Sequence, residues 1–332
     1  NAILKEFANR EYADCKADTF AMFISRAMNM ASANGNVATI TMQAWMFTGA
    51  FTAFRERLLS ESLIASLLHL GPRAFDSISG EVVQTVAFVG RNTRLANARG
   101  VYLDLTVGRS EAAKIEHLRN AIDSARSEAV FQIEASSFSE IPGAPVAYWL
   151  PRKGIDAFIE GTPLGSLCTP KKGMTTSDNA RFLRRWSEVA LNTTFFTCSD
   201  APSALRTGKK WFPYNKGGTF RKWYGNNEYL VNWEDDGREV VAYAAKLYKS
   251  ASRQIQNVDY YFSPSVTWSE VSSGFVAGRE QPSGYIFDST GPSIFGAEST
   301  RCLALCLLCT NIANLFTRAL NPTLHLTVRN VA

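Results

Sequence analysis

Histidine is scarce in this chain. His69, His117 and His325 are the three in 332 residues, and they are scattered. That leaves no His-based metal cluster to propose. Cysteine is sparse too, at positions 15, 168, 198, 302, 306 and 309. The Cys306–Cys309 spacing has no second such pair to complete a zinc site. Cys302, Cys306 and Cys309 lie in the apolar run CLALCLLCTNIANLF. A spacing of four and three puts them on one helical face, expected to be buried as small apolar residues. This usage suits a reducing cytoplasm. No apolar run reaches the length of a membrane span, and no secretory signal is visible. Repeats and low-complexity tracts are lacking. The chain opens at Asn1 without methionine, and it is read as an excerpt from a larger protein.

What is present describes a globular protein, with 46% hydrophobic and 20% charged residues. The length is enough for two cores. Asp18 to Ala31 carries apolar residues at helical spacing, with Asn34-Gly35 as its stop. Val37–Met42 predicts a buried strand, Phe51–Ser60 a helix, and Leu63–Leu70 a further apolar element. Val82–Val89 reads as a strand buried on both faces, and Val101–Val107 as another. Glu111–Arg126 reads as an amphipathic helix. Helix alternating with strand predicts an α/β sheet domain over residues 1–140. Pro142, Pro145 and Pro151 then mark a linker or domain edge. Residues 141–332, with shorter elements and irregular loops, predict an α+β domain ending in a helix from about Ser299 to Leu320.

The net charge is +5, but it is unevenly placed. Between Pro151 and Leu230 there are 13 Lys and Arg against 6 Asp and Glu, a net of +7, which leaves −2 elsewhere. Such a field suits a polyanion partner, and a solvated basic face is the plain alternative. Its densest part is KKWFPYNKGGTFRKWYGNN, Lys209 to Asn227. Five basic residues, Lys209, Lys210, Lys216, Arg221 and Lys222, occur there with no acid. Trp211, Phe212, Tyr214, Phe220, Trp223 and Tyr224 are interleaved with them. Cations hold phosphates, and aromatic faces stack on bases or brace the loops that read them. Arg184 and Arg185, beside Asn179, form a second cluster, and Arg279 is a further candidate contact. Asn215, Asn226 and Asn227 are candidates for reading base edges. Each is equally a turn residue, above all in Gly225-Asn226-Asn227. Trp211, Trp223 and Trp233 are read as core or loop-bracing residues rather than stacking platforms.

Several segments carry a resemblance. YADCKADTFAMF, GNVATITMQAWMF and FRERLL resemble the stretch after the Asn-Pro-Pro-Tyr motif of gamma-type adenine-N6 DNA methyltransferases. GEVVQTVAFVGRN resembles a later core strand of that family. GMTTSDNARFLRRWSEV, WFPYNKGGTFRKWYGNNEYLVNWEDDG, GYIFDSTGPSIF and LNPTLHL are similar to the specificity half of the large methyltransferases of BREX phage-defence systems. The family's S-adenosyl-L-methionine (AdoMet) glycine motif and its Asn-Pro-Pro-Tyr motif are missing. Asn321-Pro322 is followed by Thr323, at the wrong end of the chain.

The resemblance implies the C-terminal part of a Rossmann-like AdoMet-dependent sheet followed by a target-recognition domain. It implies AdoMet as cofactor of the parent protein and duplex DNA as partner. Other phage-defence proteins and phage DNA-mimic inhibitors are further partners in this reading, with no membrane and no metal. A flipped adenine would need an aromatic wall, for which Phe88, Trp45 and Phe47 are candidates, each with packing as its alternative. With both motifs missing, the chain alone is expected to be inactive. A non-catalytic DNA-binding specificity module fits its residues equally well.

Overall fold

The apolar spacing after Asp18 folds as helix α2 (Thr19–Met30), which follows helix α1 (Ala2–Glu11). Ala21, Ile24, Ser25 and Met28 are its buried face, three and four residues apart. The computed structural model describes residues 2–78, 83–95, 97–124, 127–271, 275–321 and 325–332. It divides into two units, Asn1–Gly161 and Thr162–Ala332.

The first unit holds strands β1 (Asn36–Met42), β2 (Leu63–Pro72), β3 (Gln84–Arg91), β4 (Arg99–Asp104) and β5 (Val130–Glu134). Helices α3 (Thr52–Glu61) and α4 (Glu111–Asp123) join them. The sheet order is β1-β3-β2-β4-β5. Only β2 and β4 pair in parallel; β1–β3, β2–β3 and β4–β5 are antiparallel. Strand alternation splits the apolar side chains between two faces. Leu67, Val86, Phe88 and Tyr102 join Trp45, Phe54 and Tyr148 in the main core. Leu68, Val101 and Leu103 pack on the other side with Leu118 and Ala121 of α4.

β1 corrects one expectation. It is an edge strand with alternating exposure, not a buried one, and Ile40 stays 59% exposed. β3 likewise alternates rather than burying both faces. Val82 and Arg126 lie outside the described residues. A second correction concerns the proline-rich segment. Ile141, Val146, Tyr148 and Leu150 are buried, and the Val146 amide donates to the Met46 carbonyl at 2.9 Å. The prolines break helix without taking the chain out of the core, so the first unit runs on to Gly161.

The second unit has strands β6 (Thr169–Lys171), β7 (Leu183–Arg185), β8 (Trp211–Asn215), β9 (Tyr229–Asn232), β10 (Ser265–Thr267), β11 (Arg279–Gln281), β12 (Ile286–Phe287) and β13 (Ser293–Phe295). They form two four-stranded sheets, β12-β8-β9-β7 and β11-β10-β13-β6. The C-terminal apolar run is two helices, Glu298–Leu308 and Asn311–Leu320, bent by 80°. Thr310 ends the first by capping the second, its hydroxyl accepting from the Ala313 amide. Ala304 and Leu308 are the buried stripe of the first helix, which turns Cys302 and Cys306 outward and leaves Cys309 buried. The expected buried cysteine face is therefore not formed. No single helix among the described residues is long and apolar enough to cross a membrane.

Candidate nucleic-acid interface

The basic, aromatic segment is one strand and the long connection after it. β8 sits inside its sheet, antiparallel to β9 with Trp211 opposite Asn232 and Tyr214 opposite Tyr229, and parallel to β12. All five of its residues are buried. The apolar side chains of WFPY are thus consumed by the core, with Phe212 packed edge-on to Phe262. The Tyr214 hydroxyl donates to Asp288 Oδ2 at 2.6 Å. Burial and that neighbouring carboxylate push the Tyr214 phenol well up.

Asn215 ends the strand fully buried. Its Nδ2 donates to Thr267 Oγ1 at 2.6 Å, the Gly291 carbonyl at 3.1 Å and Ser293 Oγ at 3.3 Å. It presents no edge to a base. Asn226 is also buried, at a left-handed φ of 61°, and its Nδ2 donates to the Thr219 carbonyl at 2.9 Å. Both act as structural residues of the loop, which corrects their candidacy as readers. Asn227 Oδ1 accepts from Gln281 Nε2 at 2.8 Å, while its own Nδ2 is buried without a partner. Arg279 is corrected likewise, being 1% exposed. Its Nη1 donates to Ser269 Oγ at 3.3 Å, whereas Nε and Nη2 are buried without partners. Burial pulls its pKa down to about 10, which leaves it charged at neutral pH.

The surface cations fare differently. Arg221 is exposed and makes no hydrogen bond or ion pair among the described residues. Arg185 is exposed, with its backbone amide donating to Glu188 Oε2. Lys222 Nζ donates to the Cys309 carbonyl at 2.8 Å, and Lys209 Nζ to the Asn192 carbonyl. Neutral acceptors leave those ammonium charges uncompensated. Lys210 and Lys216 stand 4.0 Å from Glu234 and Asp288, at the outer limit of an ion pair. Arg184 is turned back onto the Ala180 and Leu183 carbonyls and lies over Trp211. Asn179 is exposed, and its Oδ1 accepts from Thr176 Oγ1 at 2.6 Å.

The three tryptophans separate. Trp211 and Trp233 are buried, as loop-bracing residues should be. Trp223 is 56% exposed, beside Phe220 at 55% and Tyr224 at 65%. Sequence reasoning placed Trp223 with the other two, and nothing in its local pattern distinguishes it.

In the first unit Trp45, Phe47 and Phe88 are 0%, 4% and 3% exposed. Trp45 packs on Phe88 at 5.1 Å and Phe47 on Trp149 at 5.5 Å. They are core residues, which corrects their candidacy as walls of an open pocket. Next to them runs a polar chain that the sequence did not disclose. His69 Nδ1 is 2.8 Å from the Tyr148 hydroxyl, and Nε2 is 2.7 Å from Gln43 Oε1. Gln43 Nε2 donates in turn to Gln84 Oε1 at 2.5 Å. Burial pushes the His69 pKa down to about 4, against the opposing pull of Asp104.

The resemblance implies a cofactor, and among the described residues one strand-to-helix turn bears on where it could sit. The strand-to-helix turn after β4 is closed on a side chain of its own. Lys114 Nζ donates to the carbonyls of Leu70 at 2.6 Å, Leu105 at 3.1 Å and Gly108 at 2.6 Å. A Cβ on Gly108 would meet Lys114 at 2.9 Å.

Comparison with known proteins points to DNA methyltransferases. The profile of the Eco57I restriction-modification methylase family matches residues 1–75. An adenine-specific methyltransferase PglX of Lacticaseibacillus casei (strain Zhang) is 36% identical over 332 residues, covering 99% of this chain and 27% of that protein. The relatives of this chain are adenine-specific methyltransferases. The BrxX adenine-specific methyltransferase of Escherichia coli O9:H4 (strain HS) is also 36% identical, over 337 residues, covering 100% of this chain and 26% of that protein. The chain thus spans about a quarter of the length of PglX and BrxX. Among solved structures, the type IIL restriction-modification enzyme MmeI, solved in complex with DNA, matches 95% of this chain and 41% of its own. The TM-score is 0.58 at 14% identity, a likeness of fold.

Proposed function

We propose that this chain is part of a site-specific adenine-N6 DNA methyltransferase of a phage-defence system. In this reading it supplies target recognition and the back half of the catalytic sheet. The observation that carries it is the 36% identity to PglX over both units rather than over one. Residues 1–161 are the rear of the Rossmann-like sheet. Its edge strand β1 and the apolar residues Ala38, Ile40, Ala87 and Val89 form a face suited to further protein. Residues 162–332 are the target-recognition domain, whose excess of positive charge suits duplex DNA. The parent protein is cytoplasmic and uses AdoMet as methyl donor. In this reading the cofactor's glycine motif belongs to another part of the parent, and the turn after β4, filled by Lys114, is not its site. Within the parent, this chain's residues bind and orient DNA and brace the sheet.

Methyl transfer to duplex DNA tests the reading. The full-length parent with labelled AdoMet is expected to modify adenine, and this chain alone is expected to be inert. DNA binding by the full-length protein without any AdoMet binding would favour a non-catalytic specificity module.

A further inference from the structure

The connection between β8 and β9 is held firmly from behind and displays aromatic rings in front. Its backbone is docked onto β11. The Trp223 amide donates to the Gly278 carbonyl at 3.1 Å, and the Glu280 amide donates to the Trp223 carbonyl at 2.9 Å. Ser269 Oγ donates to the Gly218 carbonyl at 2.8 Å, and Asn226 ties the turn to Thr219 at 2.9 Å. Lys222 anchors it to Cys309. A loop with this many fixed points keeps one shape.

What that shape exposes runs against ordinary burial. Phe220, Trp223 and Tyr224 are each more than half exposed within five residues. Trp223 also sits at a φ of 74°, where a bulky side chain is strained. Its indole makes no hydrogen bond or ring contact among the described residues. Backbone docking thus enforces an unfavourable conformation whose effect is to present an indole to the outside. Arg221, exposed and unpaired among the described residues, stands between Phe220 and Trp223.

We propose that the Phe220–Tyr224 turn is a base-stacking wedge. On this view Trp223, with Tyr224 beside it, stacks on or between nucleobases of duplex DNA while Arg221 holds the adjoining phosphate. This rests on the DNA-recognition reading above and adds the residues and the mode of contact. Charge selects the occupant. Cations beside exposed rings, in the region with a net charge of +7, fit a nucleic acid rather than an apolar protein partner.

Trp223→Asn is the decisive variant. Asparagine tolerates a left-handed φ, so the intact protein should melt at or above the wild-type temperature. Its affinity for duplex DNA should nevertheless fall, about tenfold to a hundredfold. The dependence of affinity on salt should keep its slope, because no charge is removed. Trp223→Phe should recover most of the binding. Affinity within twofold of wild type for Trp223→Asn and for Tyr224→Ala, in a protein whose binding is abolished by removing the nearby cations, overturns the wedge and leaves DNA recognition standing. A wild-type protein that does not bind duplex DNA overturns both. Loss of binding to an acidic protein, with duplex affinity unchanged, reassigns the turn to a protein partner and also overturns the wedge.

Discussion

The Asn215 carboxamide donates to the Thr267 hydroxyl at 2.6 Å and so joins the two sheets of the second unit, β8 to β10. The Thr267 hydroxyl is also 2.9 Å from the Pro292 carbonyl, which continues the chain of contacts into the turn before β13. Asn215→Ala would strand buried acceptors, and the expected loss is about 1–3 kcal/mol of stability. Urea unfolding measures it. DNA affinity measured on the folded fraction should keep its salt slope, since Asn215 holds no phosphate. A shallower slope would make Asn215 part of the interface after all.

Gly237 supports the Trp233 ring. Asp235, Asp236 and Gly237 have φ of 50°, 58° and 73°, three consecutive left-handed residues before the helix proceeds to Tyr248. A Cβ at Gly237 would meet the Trp233 ring at 2.5 Å. Gly237→Ala therefore combines backbone strain with overpacking, at a cost of about 2–4 kcal/mol. The midpoint of denaturation should fall. An unchanged midpoint would show that the ring can move aside.

His69 makes the first unit acid-sensitive. Its folded pKa is about 4, below the ordinary 6.5. The unfolded chain takes up the proton first as pH falls. Stability is fully present above about pH 6.5, declines below it, and the decline is complete near pH 4. The full effect is on the order of 3 kcal/mol. Unfolding measured between pH 7 and 4.5 should show the decline, and His69→Phe should flatten that part of it. An identical pH profile in the variant would show that His69 does not set the acid sensitivity.

Much of the first unit was legible in the sequence. α2, α3 and β4 follow from periodicity, because one buried face writes its spacing directly into the chain, whereas β2 was legible only as an apolar stretch. The edge position of β1 was not, since a strand's neighbours are set by topology rather than by its own residues. His69 and Tyr148 meet across 79 positions, which no local pattern records. In the second unit, residue type identified the basic segment but not its orientation. Asn215 and Asn226 turn inward and Arg221 outward, although all lie within twelve residues of one another. Trp223 is exposed where its amide donates to distant Gly278 and its carbonyl accepts from Glu280, two backbone hydrogen bonds that hold its φ.

Salt-dependent affinity is the sharpest test of whether the second unit binds duplex DNA. Lys209, Lys210, Lys216, Arg221 and Lys222 would be replaced together by alanine in the full-length protein. Duplex affinity would then be measured across a range of salt concentrations. Weaker binding is expected, with a log–log slope shallower by about 0.9 for each phosphate that is no longer neutralised. Wild-type affinity with an unchanged slope would contradict it.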